Sequence, residues 1–166
     1  MYRKKSEIIG KIQSYHRQVA QLYCNICDSI EDETMKSTIR GLYEHEKSRE
    51  LYLERHRKIA EAMNCWLDFP CEKLSNQIAE CFKVIDLHQS MSMEKLIKIE
   101  LHFDDCLIKL YNILASENEL SESVATIFYY MLRKTEKEKE MLAAMLFNSC
   151  KLVRKSEPSS VGTNNH

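Results

Sequence analysis

Glycine and proline are almost missing: the 166 residues contain three Gly and two Pro. Hairpin turns and β-bulges draw on those residues, so all-β and doubly wound architectures are excluded. Long apolar runs are missing as well. None approaches the roughly 20 residues needed to span a bilayer, and the start MYRKKSEIIGKIQSYH carries neither the continuous apolar stretch nor the small-residue cleavage site of a secretory signal. An excess of charge of one sign is also lacking. The 24 basic and 25 acidic residues nearly cancel, and a pI near 6.6 leaves no global field to hold nucleic acid or an anionic membrane. Neither partner is expected. The seven Cys are odd in number and scattered without a small-scaffold pattern, which points to a reducing compartment, the cytoplasm.

What is present is helix-forming. Leu, Glu, Lys, Met and Ile dominate, and 44% hydrophobic content in a chain of this length supports one domain with a proper core. Apolar spacing alternating between three and four predicts four long helices, over Ser6 to Ile30, Asp32 to Met63, Ser92 to Ala115 and Ser121 to Leu152. Ser6, Asp32, Ser92 and Ser121 each stand where an oxygen side chain caps a first turn. The short gaps after the first and third helices predict two antiparallel αα-hairpins. Residues 64 to 91 form a far longer connection, with a weak amphipathic run Leu74, Ile78, Phe82, Ile85. A helix of about 25 residues is roughly 37 Å long, so this connection suits a crossover that returns along the bundle and sets the third helix parallel to the second. The expected organisation is an all-α bundle over residues 1–154 followed by a disordered polar tail, KSEPSSVGTNNH, over 155–166.

The two hairpins repeat. SYHRQVAQLY, ending at Tyr23, overlays HFDDCLIKLY, ending at Tyr111, and pairs His16 with Asp104. LYEHEKSREL from Leu42 overlays LRKTEKEKEM from Leu132, pairing Glu46 with Glu136 and Arg49 with Lys139. On these residues the chain resembles the ferritin-like superfamily, rubrerythrin-like proteins in particular, over residues 6–152. The resemblance implies a four-helix bundle of two αα-hairpins joined by a long crossover. In that family the first helix of each hairpin gives a carboxylate seven residues before a Tyr, and the second gives Glu-x-x-His. His16 and Asp104 stand at the carboxylate positions before Tyr23 and Tyr111. Glu46-Lys-Ser-Arg49 and Glu136-Lys-Glu-Lys139 stand at the Glu-x-x-His positions, each His replaced by a cation. The frame is kept and the di-iron ligand set is damaged.

His16, Glu46, Arg49, Asp104, Glu136 and Lys139 fall near helix midpoints on the inward stripes, so a closed bundle brings them to one level. A polar layer buried there needs pairing, protonation or a metal to offset its desolvation. The resembled family holds two metals with four carboxylates and two His. Here three carboxylates and one His face two cations, and two unit charges of like sign at 4 Å repel by roughly 4 kcal/mol at an effective dielectric of 20. Arg49, Lys139 and a protonated His16 instead balance Glu46, Asp104 and Glu136, so internal ion pairs are expected in place of a cofactor. The alternative is an altered iron or manganese site on His16, Glu46, Asp104 and Glu136. Tyr23 and Tyr111 are expected to line the layer and bond into it.

Other candidates are weaker. Cys24 and Cys27 make a C-x-x-C near a helix C-terminus, where the dipole raises a thiol pKa, and read as buried core thiols. No second Cys pair has zinc spacing, and His45, His56 and His102 read equally as surface or boundary residues or as ligands. No phosphate loop, catalytic triad order or nucleophile context is visible. The sequence therefore points away from an enzyme and toward a binding or structural module that forms a homodimer or engages a protein partner. The alternative is a rubrerythrin-like oxidoreductase or metal-binding protein.

Overall fold

The computed structural model of the chain describes residues 2–63, 66–68, 71–83, 85, 90–116 and 122–155. The fold class is all-α. Among the described residues there are five helices, α1 (Lys5–Asp28), α2 (Glu33–Met63), α3 (Cys71–Lys83), α4 (Met93–Ser116) and α5 (Glu122–Lys155), and one small sheet of two three-residue strands, β1 (Tyr2–Lys4) and β2 (Trp66–Asp68). The strands pair antiparallel, with Tyr2 opposite Asp68 and Lys4 opposite Trp66, and the Lys4 ammonium sits 5.2 Å over the Trp66 ring. The sheet ties the entry of α1 to the chain that leaves α2.

The helix ends follow local chemistry. Asp32 Oδ1 accepts the Met35 N–H at 2.7 Å and Ser92 Oγ accepts that of Lys95 at 3.1 Å, so both expected caps close a first turn. The expected cap at Ser6 does not form. The extended strand β1 passes directly into α1, the N-cap position falls on Lys4 with no side-chain bond, and Ser6 is buried inside the helix. Ser121 lies outside the described residues. So does the expected tail, except Lys155, which is the last residue of α5 rather than the first of a disordered segment.

Side-chain contacts give the helix directions. His16 faces Glu46, Arg17 faces Glu50 and Gln13 faces Arg57, so α1 and α2 run antiparallel. Arg49 pairs with Glu138 while Tyr52 packs on Tyr130, so α2 and α5 do the same. Lys139 reaches Asp105 and Tyr111 stacks near Phe128, which makes α4 antiparallel to α5 and hence parallel to α2. The connection that allows this holds α3. Its apolar face (Leu74, Ile78, Phe82) packs on the core, and Phe82 stands 5.4 Å from Phe103 and 5.5 Å from Tyr15, ring to ring. Ile8, Ile9, Ile12, Val19, Ile39, Leu53, Leu107 and Leu110 fill one continuous core. Each such side chain, once buried, stabilises the fold by roughly 1.5–3 kcal/mol.

Candidate functional site

The core is interrupted at one level by charge. His16, Glu46, Arg49, Glu100 and Asp104 are all buried among apolar neighbours. Their positions follow from periodicity. On α1, His16 lies between Ile12 and Val19 on the buried stripe, and on α2, Glu46 and Arg49 lie between Ile39 and Leu53.

Arg49 is the hub. Its Nη1 donates to Glu46 Oε1 at 2.9 Å and lies 3.6 Å from Asp104 Oδ1, while its Nη2 donates to Glu138. Burial alone would lower the guanidinium pKa, but Glu46 and Glu138 outweigh it and hold the group firmly charged. Glu138 feels burial upward, yet its bonds to His45 (3.2 Å) and Arg49 bring its carboxyl down to about 2.

Glu46 spends its second oxygen on His16, whose Nδ1 lies 2.6 Å from Oε2, and the other ring nitrogen, Nε2, lies 3.0 Å from the Tyr111 hydroxyl. Burial lowers the His16 pKa more than Glu46 raises it, so the imidazole is neutral. Nδ1–H then donates to Glu46, and Nε2 accepts from Tyr111. Glu46 stays ionised, because His16 and Arg49 together overcome the upward pull of its burial.

The remaining carboxyls are pushed the other way. Burial and then Glu100 raise Asp104 to about 8. Burial and then Glu46 raise Glu100 to about 7, with the Tyr23 hydroxyl donating to it. One buried cation thus supports two ionised carboxylates, and the other two acids shift toward their neutral forms. Both Asp104 oxygens, Arg49 Nε and Thr135 Oγ1 are buried without a hydrogen-bond partner among the described residues.

The layer differs from the expected set on α5. Glu136 lies on the outer side, 3.2 Å from Arg133, and Lys139 pairs with Asp105 with 36% of its side chain exposed. The reason is which flank of α5 meets α2. Phe128, Met131, Leu132 and Thr135 bury one face of α5, and at about 100° per residue Glu136 and Glu138 fall on opposite flanks of it. The Glu138 flank meets His45 and Arg49 of α2, while Lys139, though close to the buried face, reaches out to Asp105 of α4. His16 is neutral instead of supplying a third positive charge. Glu100, Glu138 and His45 join the layer without having been expected there. Glu100 had a signal, since it lies one turn before Asp104 on the inward stripe; Glu138 had none, since it sits in an uninterrupted run of Lys and Glu.

These residues do not fit a di-iron group. Both His16 nitrogens and both Glu46 oxygens are engaged, a guanidinium stands among the carboxyls, and among the described residues no group of three or more His, Cys, Asp or Glu is placed to hold a metal ion. The thiols lie elsewhere. Cys24 is exposed and Cys27 half-buried, not the core pair expected, because α1 turns them away from its stripe. Cys81 and Cys106 are buried between α3 and α4, and the Cys106 thiol is brought down to about 7 by its bond with Cys81, against the effect of burial. Among the described residues no helix is long and apolar enough to cross a membrane. Comparison with protein-family models, with curated proteins and with solved structures finds no match to this chain.

Proposed function

We propose that the chain is a ferritin-like bundle, two αα-hairpins joined through α3, whose metal centre is replaced by internal ion pairs, and that it acts as a non-catalytic binding or structural module. The observation that carries this reading is Arg49, whose guanidinium bonds Glu46 and Glu138 and approaches Asp104. A fixed cation there supplies the charge compensation that divalent metals supply in the family the sequence resembles. Metal analysis of protein purified after growth with added iron and manganese tests it. The reading expects no stoichiometric metal. Near two equivalents per chain with a near-ultraviolet oxo-bridge band would favour the oxidoreductase instead.

A further inference from the structure

Apart from the layer, a cavity of about 710 Å³ opens where α1 begins, α2 ends and α5 begins. Its walls are mainly apolar, with Ile9, Ile59, Val124 and Ile127 among them, and Tyr52, Tyr130 and His56 form an aromatic side. The Tyr52 ring stands 4.5 Å from that of His56 and 5.7 Å from that of Tyr130. Ile59 and Tyr130 are more than half exposed, an unusual arrangement for large apolar side chains that share one concave surface. The volume is in the range that encloses a ligand of drug or lipid size.

Lys5 gives the cavity a chemical preference. It lines the cavity, is only 9% exposed, and has no ion-pair or hydrogen-bond partner among the described residues. Its stem is buried, while its ammonium is not among the buried unpartnered atoms and so stays open to a partner. Its position is fixed, since it is the first residue of α1, directly after the strand β1 that pairs with β2. An anion entering the cavity gains a charge-assisted bond from it. Glu122, exposed on the first turn of α5, is the acidic side chain of the lining among the described residues and disfavours ligands charged at more than one end.

We propose that this cavity binds a monoanionic amphiphile, an alkyl or arylalkyl carboxylate, with its headgroup on Lys5 and its apolar body against Ile9, Ile59, Ile127 and Tyr130. This gives the binding role proposed above a site and a ligand class. It rests on that reading for the role alone, because none of the layer residues lines the cavity.

Calorimetric titration of the full chain with dodecanoate, dodecanol and dodecyltrimethylammonium, all below their micelle concentrations, tests it. Dodecanoate is expected to bind at one saturable site at least tenfold tighter than the other two. Lys5→Met should bring dodecanoate down to the level of dodecanol, and Lys5→Arg should restore it. Ile59→Glu, at an exposed wall position that folding tolerates, should weaken dodecanoate by tenfold or more with an unchanged circular dichroism spectrum. Equal binding of the three probes, no effect of Lys5→Met, or no saturable binding would each overturn the proposal. Metal content measured on the same samples separates the two readings: stoichiometric metal with intact dodecanoate binding refutes the metal-free layer and leaves the cavity site standing.

Discussion

His16 donates its Nδ1–H to Glu46 Oε2 across 2.6 Å, and this bond fixes the imidazole as the neutral tautomer that accepts from Tyr111. Three helices are thereby joined through one ring, α1 to α2 of its own hairpin by the first bond and α1 to α4 of the other hairpin by the second. The tautomer is a direct observable. Nitrogen-15 NMR is expected to show Nδ1 protonated and Nε2 bare, with no titration of His16 near the ordinary 6.5, because burial lowers its pKa. An Nε2–H tautomer, or ordinary titration, would contradict the arrangement. The sign for stability follows. Below about pH 6.5 the unfolded chain takes up a proton that folded His16 resists, so this group makes stability fall as pH falls.

Tyr111→Phe removes the hydroxyl that His16 Nε2 accepts from and leaves a fully buried imidazole nitrogen without a partner. A cost of about 1–3 kcal/mol is expected from urea denaturation at neutral pH. The ring itself is retained, so packing near Phe128 is preserved. No change in midpoint would mean that the bond contributes nothing.

Asp104 acts in the opposite sense to His16. Its folded pKa of about 8 lies above the unfolded value of about 3.9. The folded chain therefore binds the extra proton between these limits, and stability contributed by this group falls as pH rises through that window. Asp104→Asn does not titrate. It should exceed the parent in stability by on the order of 2–5 kcal/mol at pH 8, and the gap should close toward pH 4. A gap independent of pH would show that folding does not raise the Asp104 pKa.

Much of this fold was legible because long helices write a 3.6-residue period into the sequence. The observed ends of α1, α2 and α4 lie within two residues of those expected, and Asp32 and Ser92 cap as read. The strands β1 and β2 were not legible, since three residues carry no period. In the layer, His16, Glu46, Arg49, Glu100 and Asp104 could be read from the stripes, whereas His45 lies beside the α2 stripe and could not. The α5 members could not. A Lys and Glu run offers a Glu at both 136 and 138, and the repeat with α2 favours Glu136. The two flank the buried face of α5 on opposite sides, and only the packing of α5 on α2 brings Glu138 to His45 and Arg49.

That placement has a measurable consequence. Lys139→Ala and Glu136→Ala disrupt only half-exposed pairs, with Asp105 and Arg133. Each should change stability by less than about 0.5–1 kcal/mol. A loss of several kcal/mol from either would place it inside the layer after all.

The central claim is that Arg49 holds the layer together in place of metal, and the equilibrium stability of Arg49→Met measures it most directly. Methionine keeps much of the length and removes the charge, leaving Glu46 and the half-buried Glu138 without their shared cation. The account predicts a loss of about 3 kcal/mol or more, as when one partner of a buried ion pair is removed, together with a lowered denaturation midpoint in the absence of metal. An unchanged midpoint for a correctly folded Arg49→Met protein would contradict it.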